Sequence, residues 1–106
     1  MKVINLTPHD VNICNEYGYV IKTYKASGQV ARTAYSYRTI GFIDDIPVTD
    51  RVNERVVNLP EPQPGIMYIV SNIILGYCKD RHDLLAPVEQ VKINGRVVGC
   101  QAFVGN

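Results

Sequence analysis

The chain has 106 residues, with 11 basic and 10 acidic side chains and a formal net charge of +1. That length accommodates one domain around one core, so residues 1–106 are read as a single domain. The near-neutral balance argues against a broad cationic footprint for duplex nucleic acid, and no stretch approaches the ~20 apolar residues of a membrane-spanning helix.

Met1-Lys2-Val3-Ile4-Asn5 lacks the apolar region of an export signal, which predicts a cytoplasmic protein. In that compartment the three cysteines, Cys14, Cys78 and Cys100, are expected as small buried hydrophobes rather than a disulfide frame. Asn5-Leu6-Thr7 matches a glycosylation acceptor, which is idle without export.

Lys2 to Leu6 alternates as an opening strand, and Thr7-Pro8-His9-Asp10 breaks it. Val11 to Cys14 and Tyr19 to Tyr24 flank the turn residues Asn15-Glu16-Tyr17-Gly18, so residues 11–24 read as a hairpin. After the turn at Ala26-Ser27-Gly28-Gln29, Val30 to Thr39 is rich in Tyr, Thr and Val and reads as a strand. Its alternation places Ala31, Thr33, Tyr35 and Tyr37 on one face and Arg32, Ala34, Ser36 and Arg38 on the other. Asp44-Asp45 is a turn between Ile40–Ile43 and Ile46–Val48. Asp50 to Glu54 is polar, and Arg55 to Leu59 is apolar again.

Leu59-Pro60-Glu61-Pro62-Gln63-Pro64-Gly65 cannot be helical. Three alternate prolines fix φ and remove backbone donors, and the residues before them are driven to extended backbone. Pro64-Gly65 closes this stiff connector as a turn, and Ile66 to Val70 follows as a buried strand ending on Ser71. Asn72 is placed to cap a short helix near 72–79, with Ile73, Ile74, Tyr77 and Cys78 facing inward. Lys79 to Asp83 is its polar exit. Val88 to Ile93 and Arg96 to Val104 flank Asn94-Gly95, the strongest hairpin signal in the chain, and Gly99 marks a bulge or a close backbone approach. These elements predict a mainly β, β-rich α+β protein: a small antiparallel barrel or sandwich with one short helix.

The polar candidates fall in loops after strands, where small folds carry function. Arginine suits phosphate or carboxylate because its planar fork donates paired hydrogen bonds. Arg32, Arg81 and Arg96 are therefore expected to hold an anion, with His9 and Ser71 hydrogen-bonding it, Glu61 and Asp83 beside it and Tyr68 as a stacking wall. Asp83 would orient Arg81 or bind a ribose hydroxyl. His9 with Glu61 or Asp83 could also serve proton transfer, as in a small hydrolase or phosphodiesterase. No phosphate-binding glycine loop, dinucleotide fingerprint, nucleophile elbow or zinc-protease motif is present. The spacing of His9, Cys14, Cys78 and His82 does not suit a metal site, and neither a metal nor a cofactor is expected.

Taken in order, Leu6-Thr7-Pro8-His9, Ser27-Gly28 with Ala31-Arg32, the LPEPQPG block at 59–65 with Tyr68-Ile69-Val70-Ser71, Arg81 and Asp83, and Asn94-Gly95-Arg96-Val97-Val98-Gly99-Cys100 resemble a family of small phage and prophage proteins. The likeness spans most of the chain, and the LPEPQPG–YIVS block is its specific part. The resemblance implies a phage setting, hence the host cytoplasm, and by analogy a protein acting on host defence. The leading expectation is a binder that sequesters a phosphate-bearing, nucleotide-derived small molecule as a homo-oligomer. The alternatives are a hydrolase acting on such a signal, or an inhibitor offering a strand edge or tyrosine-rich face to a host protein.

Overall fold

The computed structural model describes all of residues 1–106. Eight strands and one helix follow in order: β1 (Lys2–Asn5), β2 (Val11–Cys14), β3 (Val20–Tyr24), β4 (Arg32–Ile43), β5 (Ile46–Val57), β6 (Ile66–Ile69), α1 (Asn72–Tyr77), β7 (Leu84–Ile93) and β8 (Arg96–Gly105). Six strands form one sheet in the order β1-β6-β7-β8-β2-β3, while β4 and β5 pair only with each other. The protein is thus mainly β with a single short helix, as its turn spacing predicts. No helix is long and apolar enough to cross a membrane.

The sheet is mixed, which corrects the expectation of purely antiparallel pairing. β6 runs parallel to β1 and to β7, and β2 runs parallel to β8. The physical reason lies in the connection from β6 to β7. A parallel return needs a dozen or more residues, usually helical, and Val70 to Asp83 with α1 inside it supplies that length.

The two edges of the sheet are drawn together. Asn5 at the end of β1 bridges to Ala26 just beyond β3. Its carbonyl accepts from the Ser27 N–H at 3.1 Å, and the Leu6 carbonyl accepts from the Ala31 N–H at 3.0 Å. The segment 26–31 therefore covers the C-terminal end of β1, and the sheet curls toward a small, partly closed barrel. Open strand edges invite pairing with other chains, and this closure shortens one of them.

Asn5 is the one buried polar residue, at 2% exposure. Its Nδ2 donates to the carbonyls of His9 at 2.8 Å and Tyr24 at 2.9 Å. Its Oδ1 accepts from the Thr7 backbone N–H at 2.9 Å and the Thr7 hydroxyl at 2.7 Å. All four hydrogen-bonding positions of the amide are filled. The Asn5-Leu6-Thr7 triplet thus serves an Asx turn, not glycosylation.

The core gathers Leu6, Ala31, Tyr68, Val70, Ile74, Leu75, Leu84 and Ala86. Tyr68 and Val70, then Leu84 and Ala86, are two apart, so each pair shares a sheet face. The helix buries Ile74 and Leu75, whereas Ile73 and Tyr77 are exposed, which corrects the predicted inward set. The N-cap is Ser71 rather than Asn72: its Oγ accepts from the Ile74 N–H at 3.3 Å. A hydroxyl one residue earlier reaches the N3 donor.

The expected turn at Asp44-Asp45 exists, but it joins two continuous twelve-residue strands. The polar run Asp50–Glu54 is strand because both faces of this hairpin meet water. β4 and β5 form an arm. Tyr35 and Tyr37 share a face and meet edge-on at 5.4 Å between ring centres, with the Arg51 guanidinium 4.7 Å from the Tyr35 ring centre. Beyond its base the arm lies outside the core, and the chain is elongated, 54 × 40 × 23 Å.

Two glycines are required by geometry. Gly65 takes φ +76° in the turn after Pro64, and a Cβ on Gly99 would lie 2.6 Å from the Asn12 carbonyl oxygen. Both the bulge and the close approach expected around Gly99 are found: β8 is irregular opposite Val91 and Lys92, and presses on β2. Cys14 and Cys100 are buried thiols and Cys78 is partly covered, with no disulfide among them.

Replacing Asn5 with Ala strands two carbonyls and two donors around a buried gap. A loss of about 2–4 kcal/mol in unfolding free energy is expected. Urea unfolding measures it, and a midpoint equal to the parent's would remove Asn5 from its place in the closure.

Candidate ligand groove and the Arg81–Asp83 clamp

The break after β1 and the end of β6 come together on one side of the barrel. Between them opens a groove of about 510 Å³, bounded by Thr7, His9, Asp10 and Asn12 from one wall, Ser71 and Asn72 from another, and Gln90 with Val97 to Cys100 from the β7–β8 hairpin. Its volume lies in the range of small-molecule sites, roughly 300–1,000 Å³.

Much of the wall's polarity is already committed. The Thr7 hydroxyl donates into the Asn5 turn. Asp10 accepts from the Ala26 N–H at 2.8 Å. Asn12 accepts from the Thr23 hydroxyl at 2.7 Å and donates to the Val98 carbonyl at 3.2 Å. These bonds hold the rim in shape. The His9 ring and the Gln90 amide make no hydrogen bond within the chain, and the Ser71 hydroxyl keeps its proton to donate because its oxygen serves the helix cap. The groove therefore presents neutral donors and acceptors, one imidazole and the second oxygen of the Asp10 carboxylate.

Of the residues chosen from sequence, His9 and Ser71 line this groove. The other six lie elsewhere. Tyr68 is a core side chain, 2% exposed, beneath a second hollow of about 340 Å³ that also touches Lys2, Pro60 and Gln63; it walls no groove beside His9. Arg32 is exposed where the arm begins, opposite Val57. Arg96 is exposed at the far end of β8, opposite Ile93 beside the Asn94-Gly95 turn. Glu61 is exposed on the proline connector. The three arginines do not line a common hollow, and neither Glu61 nor Asp83 lines the groove that His9 lines.

Arg81 and Asp83 have a different employment. Arg81 Nε and Nη2 each donate to Asp83 at 2.8 Å, a two-pronged pair, and Nη2 donates again to the Pro60 carbonyl at 2.9 Å. The side chains are only 17% and 14% exposed, and theirs is the single ion pair in the chain. Asp83 orients Arg81, as expected, but the guanidinium is aimed at the connector. Proline 60 has no N–H and cannot join a ladder through its own nitrogen, so the clamp fastens the connector through its carbonyl. The Asp83 backbone carbonyl in turn accepts from the Tyr68 N–H at 2.8 Å, which ties the loop after α1 to β6.

The hydrogen bonds from Arg81 hold the Asp83 carboxyl below the ordinary carboxylate range, against the opposing pull of partial burial. Burial raises the Cys78 and Cys100 thiols above their ordinary value, so neither is tuned as a nucleophile. No group of three or more His, Cys, Asp or Glu side chains gathers as a metal nest.

Sequence reasoning passed over Asn72 and Gln90, both in the groove. Neither carries a charge or sits in a motif. The one available signal for Gln90 is its place in the hairpin strand, which the alternation alone does not aim at a site.

No protein-family model, no curated protein and no solved structure matches this chain.

Arg81→Ala leaves a carboxylate and a carbonyl short of partners in a largely covered place. It should lower stability by about 2–3 kcal/mol, seen as a fall of roughly 10 °C or more in Tm. Because the folded-state pKa of Asp83 is lowered, the pair's contribution is complete above the unfolded value of about 3.9 and is lost as pH falls through the folded value. Asp83→Asn should flatten that acid limb of a Tm-against-pH curve, and an unchanged limb would show that the clamp does not carry it.

Proposed function

We propose that the protein binds a small polar molecule in the His9–Ser71–Gln90 groove and holds it without turnover. The observation that carries this reading is the unspent hydrogen-bonding capacity of His9, Gln90 and Ser71 around a hollow of ligand size, on a rim fixed by internal bonds. Polar groups in a concave site confer orientation and selectivity, and the bonded rim holds the backbone that carries them. Binding rather than catalysis is favoured because His9 has no carboxylate orienting its ring, and general acid–base work by histidine usually draws on such a partner.

The ligand class best suited is nucleotide-derived. The Gln90 carboxamide offers a paired donor and acceptor to the edge of a heterocycle, and Asn72, whose Nδ2 donates to the Pro87 carbonyl at 3.5 Å, keeps its oxygen and a second proton. The Ser71 hydroxyl and the His9 imidazole offer donors to phosphate oxygens. Arg32, Arg81 and Arg96 leave the list of anion contacts within one chain, since none borders the groove. Sequestration of a nucleotide signal, the phage setting and the host-cytoplasm location belong to this same proposal and rest on the resemblance described above.

The test is calorimetric titration with a panel of nucleoside mono-, di- and cyclic phosphates, followed by heating and mass spectrometry of what is released. At least one member should bind and come off unchanged. His9→Ala and Gln90→Ala should each weaken it about tenfold, the cost of one or two hydrogen bonds, with Tm unmoved because neither side chain bonds within the fold. Arg81→Ala should lower Tm and spare affinity. A panel with no binder ends the nucleotide reading, and a chemically altered ligand ends the claim of no turnover.

A further inference from the structure

Two hairpins project from the barrel, and their tips carry opposite charge. The β4–β5 tip is Ile43-Asp44-Asp45-Ile46, with Phe42 next to it. All of these side chains are exposed, the apolar ones by 65–68%. The β7–β8 tip is Lys92-Ile93-Asn94-Gly95-Arg96-Val97. Its Ile93 and Val97 are each 52% exposed, and the register sets Ile93 opposite Arg96 and Val97 opposite Lys92. One tip therefore bears two carboxylates on an apolar ground. The other bears two cations on an apolar ground.

None of these four charges has an ion-pair partner in its own chain, where the one salt bridge is Arg81–Asp83. The surface is also too large for a solitary chain. A folded monomer of this mass exposes roughly 5,900 Å², whereas this chain exposes 7393 Å². The surplus, about 1,500 Å² per chain, exceeds the ≈ 800 Å² that each partner commits to a standard interface. The radius of gyration is 17.3 Å, where a compact chain of this length would have about 13 Å. A two-stranded ribbon alone in water is marginally stable at best; the inner part of the arm is tied to α1 by the Tyr77 hydroxyl donating to Glu54, and its outer part needs something to lie against.

We propose that copies of this chain associate by seating the acidic, apolar tip of the β4–β5 arm of one copy on the basic, apolar tip of the β7–β8 hairpin of another. The occupant is a second copy because the chain itself supplies both halves of the match in charge and in apolar dressing. A two-fold axis lets the contact form twice, once in each direction, and closes the assembly. The inference does not depend on any ligand.

Sedimentation velocity of the full chain across a concentration series tests it. The parent should show a dimer that dissociates on dilution and weakens with salt, as contacts between exposed charges do. Asp44→Asn with Asp45→Asn keeps residues that tolerate the positive φ of that turn. It should weaken association about tenfold, and Lys92→Gln with Arg96→Gln should do the same. The decisive measurement is the cycle: all four substitutions together should weaken association little more than either pair alone, because the second pair has lost its counterpart. Ile43→Ser with Ile46→Ser should give monomer with unchanged barrel melting. A parent that is monomeric at about 100 µM, well above the micromolar constants of weak interfaces of standard size, overturns the proposal. So does a fourfold variant whose loss is the product of the two separate losses, since the tips would then not meet.

Discussion

The fold depends on a single amide. A curled six-stranded sheet is held as a barrel only if its outer strands are joined, and β1 and β3 share no regular ladder. Asn5 joins them through its side chain, donating across to the Tyr24 carbonyl while its own backbone bridges to Ala26. The same side chain folds the Thr7–His9 turn over itself. A buried amide with any position empty would cost more than it contributes. With all four filled, it sets both the closure of the barrel and the place where the His9 turn stands. The shape of the groove is thus settled by a residue that never touches the groove.

Closure matters more here than core size. Only 12 of 106 residues are buried, so apolar burial within one chain is thin, and directional contacts have to define the arrangement. Two such contacts do this at opposite ends of β6. Asn5 works at the strand it flanks, since the Leu6 N–H donates to the Ile69 carbonyl. The Arg81–Asp83 pair works on the connector that feeds it, gripping Pro60. Between them β6 is pinned on both sides, which gives Ser71 at its end a fixed position at the head of α1. A short strand inside a mixed sheet, flanked by β1 and β7, can then serve as the reference for the groove.

The local chemistry of this fold was legible in the sequence, and its long-range pairing was not. Asp44-Asp45 and Asn94-Gly95 announce tight hairpins because their residues accept positive φ, and both take it. Pro64-Gly65 likewise declares its turn. The parallel pairing of β6 with β7 is not legible although strand, helix and strand follow one another there, because the residues of β7 that pair with β6, Leu84 and Leu85, precede Pro87 and fall outside the strand read at Val88 to Ile93. Asn5 was missed for another reason: the triplet it heads suggests a modification signal, and nothing local shows that a carbonyl nineteen residues on will need its donor. For the candidate site, His9 and Ser71 could be found as polar residues closing strands. Arg81 could not be assigned, since whether a guanidinium meets a ligand or a neighbour's carboxylate is decided by Asp83, two residues away, in a loop whose path the pattern does not give.

Charge in this protein divides by depth. Where a guanidinium is mostly covered, as at Arg81, it is paired in two-pronged fashion and its remaining reach goes to a proline carbonyl, because an isolated charge in such a place would be costly. Where charges stand at hairpin tips, as at Asp44, Asp45, Lys92 and Arg96, water solvates them and no internal partner is required. A search for an anion site guided by arginines alone is therefore drawn to residues already spent in the fold or far out on the arms. The groove carries one carboxylate, Asp10, and no cation of Lys or Arg, so its selectivity has to come from amide, hydroxyl and imidazole geometry. Such groups discriminate through the penalty of leaving a buried partner unpaired rather than through attraction at a distance. A ligand for this groove is selected by the pattern of its donors and acceptors first, and by its charge second.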